Sequence, residues 1–148
     1  MRKNRLLAAV GISALFVAGG AATAQTASAA SLSAPGCTGS ALCEWYNSNY
    51  GGGAISFFDP GSNGGKYCIP SYSGYSFSDG NPVANNQASV QNHSSHYTAF
   101  LFINHLPTSC DPTDVYQPHA PLEVDPGVKI TQLDPIYYKN NLMANTWY

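Results

Sequence analysis

Apolar residues in this chain come in short runs broken by Gly, Pro, Asn and Ser. Beyond Ala29 no stretch carries an apolar stripe at helical spacing with matching caps. Leu42–Tyr46 and Ala54–Phe58 predict two strands joined by a glycine-rich turn. Asp59–Gly65 (DPGSNGG) then reads as a loop, with Pro60 at a turn-entry position. Lys66–Pro70 predicts a short strand carrying Cys68, and the Tyr/Ser/Gly-rich stretch Ser71–Asn81 is irregular. Ala88–Asn92 and Tyr97–Asn104 predict two further strands, the second strongly apolar through Phe100, Leu101, Phe102 and Ile103. A last strand is expected at the closing Asn-Thr-Trp-Tyr. Many short strands with frequent Gly/Pro turns predict an all-β, Greek-key sandwich of one domain with little helix.

The first residues read as an address. Arg2, Lys3 and Arg5 precede the apolar run Leu6–Ala18, and small residues follow, with Ala27-Ser28-Ala29 the better cleavage site and Ala22-Thr23-Ala24 the alternative. This is the layout of a secretory signal peptide over residues 1–29, its apolar part too short for a membrane span. Residues 30–36 read as a flexible segment before a domain over 37–148. Cleavage changes the charge picture. Three of the six basic residues leave, so three lysines face eight acidic residues and the formal charge becomes 3 minus 8, or −5. Such a chain attracts neither nucleic acid nor an anionic membrane.

All four cysteines, Cys37, Cys43, Cys68 and Cys110, lie in the exported part. An even count in a small secreted chain reads as two disulfides, which places the chain in an oxidising, extracellular setting. Three connectivities are open. Cys37–Cys43 with Cys68–Cys110 is favoured, since the first pair closes a short loop just before the first strand. A zinc site would need different spacing, because no C-x-x-C pair occurs.

The stretch Cys43–Asp59, CEWYNSNYGGGAISFFD, has an aromatic at Trp45, a second at Tyr50 and glycine at Gly52. Gly51, Gly52 and Gly53 permit positive φ and a close approach of the Tyr50 ring to the backbone. The spacing resembles the folded-hairpin signature of βγ-crystallin domains. A weak repeat agrees with this: Asn85-Asn86 and Asn140-Asn141 each stand just before an expected last strand. The resemblance implies two four-strand motifs pairing into one sandwich, a well-marked one over 37–104 and a degenerate one over 105–148. In the second, Leu106-Pro107-Thr108-Ser109-Cys110-Asp111-Pro112 stands where an aromatic and Gly-Gly hairpin belongs. With the export signal, Leu-Cys-Glu-Trp-Tyr, Asn-Tyr-Gly-Gly and Asn-Asn-Gln-Ala-Ser-Val, the chain is similar to the secreted peptidase inhibitor family 36 of actinobacteria. That similarity implies a small, disulfide-tied inhibitor of extracellular metallopeptidases.

The resemblance also implies a calcium test. Asn85, Asn86 and Ser89 match part of the Asn/Asp-Asn/Asp-x-x-Ser/Thr-Ser run by which such domains bind the ion, with Val90 replacing the last serine. The second copy keeps Asn140 and Asn141 but has Ala144 and Asn145. No carboxylate is present in either, so turn capping by the asparagines is preferred over a weak calcium site. His93 and His96 form H-x-x-H without the glutamate of a zinc helix, and His105 and His119 stand apart in loop-like sequence; all four read as exposed polar residues. No Gly-x-Ser-x-Gly elbow occurs. Glu44 and Asp59 read as a solvated hairpin edge. No enzyme is expected.

A binding protein remains, monomeric and without cofactor, whose expected partner is an extracellular protease. Its contact loop would be Asp59–Lys66, Tyr72–Asn81 or Pro107–Pro112, and no motif selects among them. A crystallin-like envelope or stress protein with weak calcium binding, and a killer-toxin-like antimicrobial protein, are the alternatives.

Overall fold

A computed structural model describes residues 37–148. The signal-peptide assignment and the 30–36 segment lie outside the described residues. Eight strands form two four-stranded antiparallel sheets. The first half supplies β1 (Ala41–Asn47), β2 (Gly51–Phe58), β3 (Cys68–Ile69) and β4 (Ser89–Asn92). The second supplies β5 (Ala99–Phe102), β6 (Leu122–Val124), β7 (Lys129–Ile130) and β8 (Ala144–Trp147). Among the described residues helix is confined to two 3₁₀ turns, Ser48–Tyr50 and Pro112–Asp114.

The strand orders are β2-β1-β4-β7 and β3-β8-β5-β6. Read from β6, the second order is β6-β5-β8-β3, which repeats the first with the halves exchanged. The third strand of each half thus crosses to the other half's sheet. This is a Greek-key sandwich of two swapped motifs. The division falls between Asn92 and Ala99, not at residue 104. The apolar run Tyr97–Asn104 looked continuous with the first half because nothing in its composition marks the topological break. The short strands β6 and β7 were invisible in sequence for a related reason: three and two residues carry no readable period.

Strand alternation sorts the residues. Leu42, Phe57, Val90, Ala99, Leu101, Val124 and Trp147 meet between the sheets in one core, with Tyr72, Phe77, Val83, Leu133 and Leu142 from the connections. Each sheet also has an apolar outer face. On the first sheet it is Ala41, Cys43, Trp45 and Ala54, covered by Cys37 and Tyr50. On the second it is Phe102 and Ala144 with Cys68, covered by Leu106 and Cys110. The pairing registers make these faces equivalent: Trp45 lies opposite Ser89, and Phe102 lies opposite Ala144.

The disulfides are Cys37–Cys43 and Cys68–Cys110, and each pins a cover to its own outer face. The first joins residues 6 apart and the second residues 42 apart. By loop-closure entropy the longer link contributes about 4 kcal/mol and the shorter about 2 kcal/mol, so the order of the two is the firmer expectation. Replacing Cys68 and Cys110 together by Ser should lower the urea midpoint more than replacing Cys37 and Cys43 together. Equal losses would show that the long loop is held by its packing instead of its bridge.

Candidate functional site

The β1–β2 turn folds back over its own sheet. Asn49 and Tyr50 both take left-handed backbone, with φ of 58° and 60°, and Gly52 follows at 74°. Left-handed geometry at two consecutive non-glycine residues costs energy, so it must be held from outside. The Asn49 N–H donates to the Thr131 carbonyl at 2.6 Å, and the Tyr50 N–H donates to the Ser89 hydroxyl at 3.1 Å. That hydroxyl in turn donates to the Asn47 carbonyl at 2.7 Å. The Tyr50 ring then lies edge-on over Trp45, with centroids 4.9 Å apart. Two details differ from the sequence expectation. Of the three glycines only Gly52 has positive φ. The tight approach there is to the Asn47 amide and the Tyr46 Cβ, whereas the tyrosine ring packs edge-on against tryptophan.

Ser89 therefore fastens the hairpin, and its position in the second half is taken by Ala144, where there is no hairpin to fasten. The asparagine pairs have a shared structural role. Asn85 and Asn140 are left-handed at φ of 59° and 56°. The Asn85 N–H donates to the Leu142 carbonyl at 3.0 Å, and the Asn140 N–H donates to the Gln87 carbonyl at 2.7 Å. Each half thus docks its asparagine turn onto the other half. The Asn86 amide donates to the Ala84 carbonyl. A hard cation needs six to eight oxygens. Here the Ser89 hydroxyl is bonded twice, Ala144 has none, and the Asn86 amide closes its own turn. Among the described residues no cluster of three or more His, Cys, Asp or Glu is placed to hold a metal.

Glu44 and Asp59 do not form a solvated edge. Glu44 points between the sheets and is fully buried, because its place on β1 has the same parity as Leu42. Its Oε1 accepts from the Tyr72 hydroxyl at 2.6 Å, and that hydroxyl also lies 3.2 Å from Asn145 Oδ1. Gln87 sits beside the carboxyl, yet its amide completes no well-formed hydrogen bond. Asp59 is also buried, accepting from the hydroxyls of Ser62 at 2.8 Å and Ser94 at 2.7 Å. Of the histidines, His93 is half-buried, and burial, helped by the Lys129 charge, holds its imidazole below the usual range. His96, His105 and His119 are exposed.

Among the expected contact loops, Asp59–Lys66 folds onto itself through Ser62 N–H to Asp59 O and Gly65 N–H to Ser62 O. Tyr72–Asn81 is sewn to the edge of β2, with Ser78 N–H on Ala54 O and Gly53 N–H on Asp79 Oδ2. Pro107–Pro112 belongs to the longer connection 103–121, which runs from β5 to β6 over the outer face of the second sheet. Sequence reasoning missed the extent of this connection, although Pro107, Pro112, Pro118 and Pro121 mark it throughout.

No protein-family model and no curated protein matches the chain. A solved structure described under the heading "Evolution of the eye lens beta-gamma-crystallin domain fold" matches with a TM-score of 0.51 at 9% identity, covering 76% of this chain and 89% of that one. A double mutant of a βγ-crystallin domain from Clostridium beijerinckii matches with a TM-score of 0.47 at 13% identity, covering 73% and 96%. The first likeness fixes the fold as βγ-crystallin-like. Both disulfides fit an oxidising environment, and among the described residues no helix is long and apolar enough to cross a membrane.

Two expectations follow from the side chains above. Gly52→Ala should cost roughly 2–3 kcal/mol, combining left-handed strain with a Cβ placed 2.9 Å from Asn47 Nδ2. Gly64→Ala, also at positive φ but with nothing within 4 Å, should cost about 1 kcal/mol. Equal losses in urea denaturation would remove the packing argument.

The second expectation concerns pH. Burial raises the Glu44 carboxyl from 4.5 to about 7 against the Tyr72 hydrogen bond and the nearby Gln87 amide, which lower it. Burial, then the Glu44 charge, pushes the Tyr72 hydroxyl well above its ordinary range. The folded chain holds the Glu44 proton more tightly than the unfolded chain, so this group favours folding fully below 4.5 and loses that contribution as pH rises to about 7. The loss is on the order of 3 kcal/mol. Glu44→Gln should abolish it: the stability difference between wild type and variant should swing toward the variant from about pH 4 to about pH 8. Parallel curves would refute a neutral Glu44.

Proposed function

We propose that this is an exported, monomeric binding protein that inhibits an extracellular peptidase, a metallopeptidase above all, through the connection 103–121. The observation that carries this reading is the way that connection is held. Leu106 is buried as its anchor and Cys110 is bonded to Cys68. The Asn104 amide donates to the Tyr116 carbonyl at 2.8 Å, and the Asp111 carboxylate caps the 3₁₀ turn by accepting from the Thr113 N–H at 2.9 Å. Between these points Thr108, Ser109, Asp111, Thr113, Asp114 and Tyr116 are exposed, Tyr116 at 80%. A segment fixed before it meets an enzyme loses little entropy on binding. Tyrosine adds large contact area at small entropic cost. The equivalent turn of the first half is folded flat over Trp45.

The resemblance of Leu42–Tyr46, Asn49–Gly52 and Asn85–Val90 to a peptidase inhibitor family supports the choice of target. The two alternatives have less behind them: the asparagine runs do not suit calcium, and a −5 chain is not drawn to anionic envelopes.

Incubating residues 30–148 with thermolysin-like, subtilisin-like and trypsin-like proteases and measuring residual activity tests the reading. One class, the thermolysin-like one by expectation, should lose activity at stoichiometric protein. Tyr116→Ala should raise the inhibition constant about 30-fold, as a central aromatic contact does, with an unchanged melting temperature. Full activity of all three enzymes at micromolar excess would sink the inhibitor reading.

A further inference from the structure

Between the outer face of the second sheet and the connection 103–121 lies an open cleft of about 600 Å³. That is the size of a small-molecule site. One wall is aromatic, made of Phe100, Phe102 and Tyr148, and the other is formed by Pro112, Pro118 and Pro121. Phe100 and Tyr148, both lining the cleft, meet edge to face with centroids 5.2 Å apart. Its lining holds no lysine or arginine, and His119 is the one residue there able to carry a positive charge. The walls are fixed without a ligand: Cys68–Cys110, the Asn104–Tyr116 hydrogen bond and the Tyr138 hydroxyl donating to the Ala120 carbonyl at 3.2 Å hold the connection in place.

The rim is acidic. Asp111 and Asp114 flank the lining residues Pro112 and Thr113. Glu123 is the direct cross-strand partner of Phe100 in the β5–β6 ladder, so the two side chains stand side by side on the outer face. Glu123 is exposed and makes no hydrogen bond or ion pair with any described residue. An apolar slot beside an unpaired carboxylate selects a ligand with both features. Its apolar body fills the slot, and its cationic end reaches Glu123 while facing the ring of Phe100 or Tyr148.

We propose that this cleft binds a small organic cation built as an aryl-alkyl ammonium, with the ring against Phe100, Phe102 and Tyr148 and the ammonium at Glu123. The cleft shares Thr113 with the surface of the peptidase reading, whereas Phe100, Phe102, Tyr148 and Glu123 belong to the cleft alone.

Three probes of one shape and different charge test this: phenethylammonium, 2-phenylethanol and 3-phenylpropanoate, titrated at about pH 8, where ordinary imidazoles are neutral. Binding is read by amide chemical shifts. The ammonium should bind at least about tenfold more tightly than the carboxylate, with the alcohol between them. The shifts should centre on Phe100, Phe102, Ala120 and Tyr148. Glu123→Gln should bring the ammonium down to the affinity of the alcohol and leave the alcohol unchanged. Phe100→Ala should weaken the ammonium and the alcohol alike, and Tyr148→Ala, at a side chain 66% exposed, should repeat that loss without disturbing the core. Equal affinities for the three probes, shifts centred elsewhere, or no saturation by the ammonium at millimolar concentration would each overturn the proposal.

Discussion

Strands β3 and β7 hydrogen-bond into the sheet of the opposite half, and this exchange constrains everything else in the domain. Without β7 the ladder of the first half ends at β4, and without β3 that of the second half ends at β8. Neither half closes its sheet alone, so the two must fold as one cooperative unit. The asparagine turns serve the same exchange. Asn85 reaches the Leu142 carbonyl and Asn140 reaches the Gln87 carbonyl, two bonds related by the internal pseudo-twofold. Their left-handed backbone, which asparagine tolerates better than most residues, is what aims those N–H groups across the divide.

Given that frame, each half faces the same remaining problem, an apolar outer face that water must not reach. The first half solves it locally, with a folded hairpin, a tyrosine over Trp45 and a short disulfide. The second half uses the connection 103–121 and a bridge back to β3. The long solution costs more chain entropy and needs the more stabilising bridge. It also leaves exposed residues and a cleft that the short solution cannot form.

The strand content, the all-β class and the outer-face hairpin were legible because Trp45, Tyr50 and Gly52 and the runs around them have strong local signatures. The strands β6 and β7 were not, since their few residues acquire strand geometry only from neighbours brought by topology. Ser89 was ambiguous in the sequence for a physical reason. A serine after an asparagine pair has the chemistry of an ion ligand and equally that of a backbone clasp, and only the position of the Tyr50 N–H decides between them. Glu44 was misplaced because it lies in a run, Cys-Glu-Trp-Tyr, in which both faces of the strand are buried. Alternation then carries no polar side to read.

The buried polar group shows how far the symmetry has been broken inside the core. By register Glu44 on β1 corresponds to Leu101 on β5, and Val90 on β4 to Asn145 on β8. The Tyr72 N–H meets the Met143 carbonyl as the Leu133 N–H meets the Ala88 carbonyl, so Tyr72 corresponds to Leu133, and Gln87 likewise to Leu142. One side of the pseudo-twofold therefore carries Glu44, Tyr72, Gln87 and Asn145, and its mirror carries Leu101, Leu133, Leu142 and Val90, all fully buried. The apolar set is the cheaper one to bury. What the polar set adds is direction. With Glu44 neutral, its proton can go to the Tyr72 oxygen and the tyrosine proton to Asn145, a chain that spans β1, the β3–β4 connection and β8. That chain forms only when the two halves meet in one orientation. An all-leucine interior would tolerate small slips between the sheets, whereas displacing Tyr72 leaves a buried carboxyl and a buried amide unpaired at once.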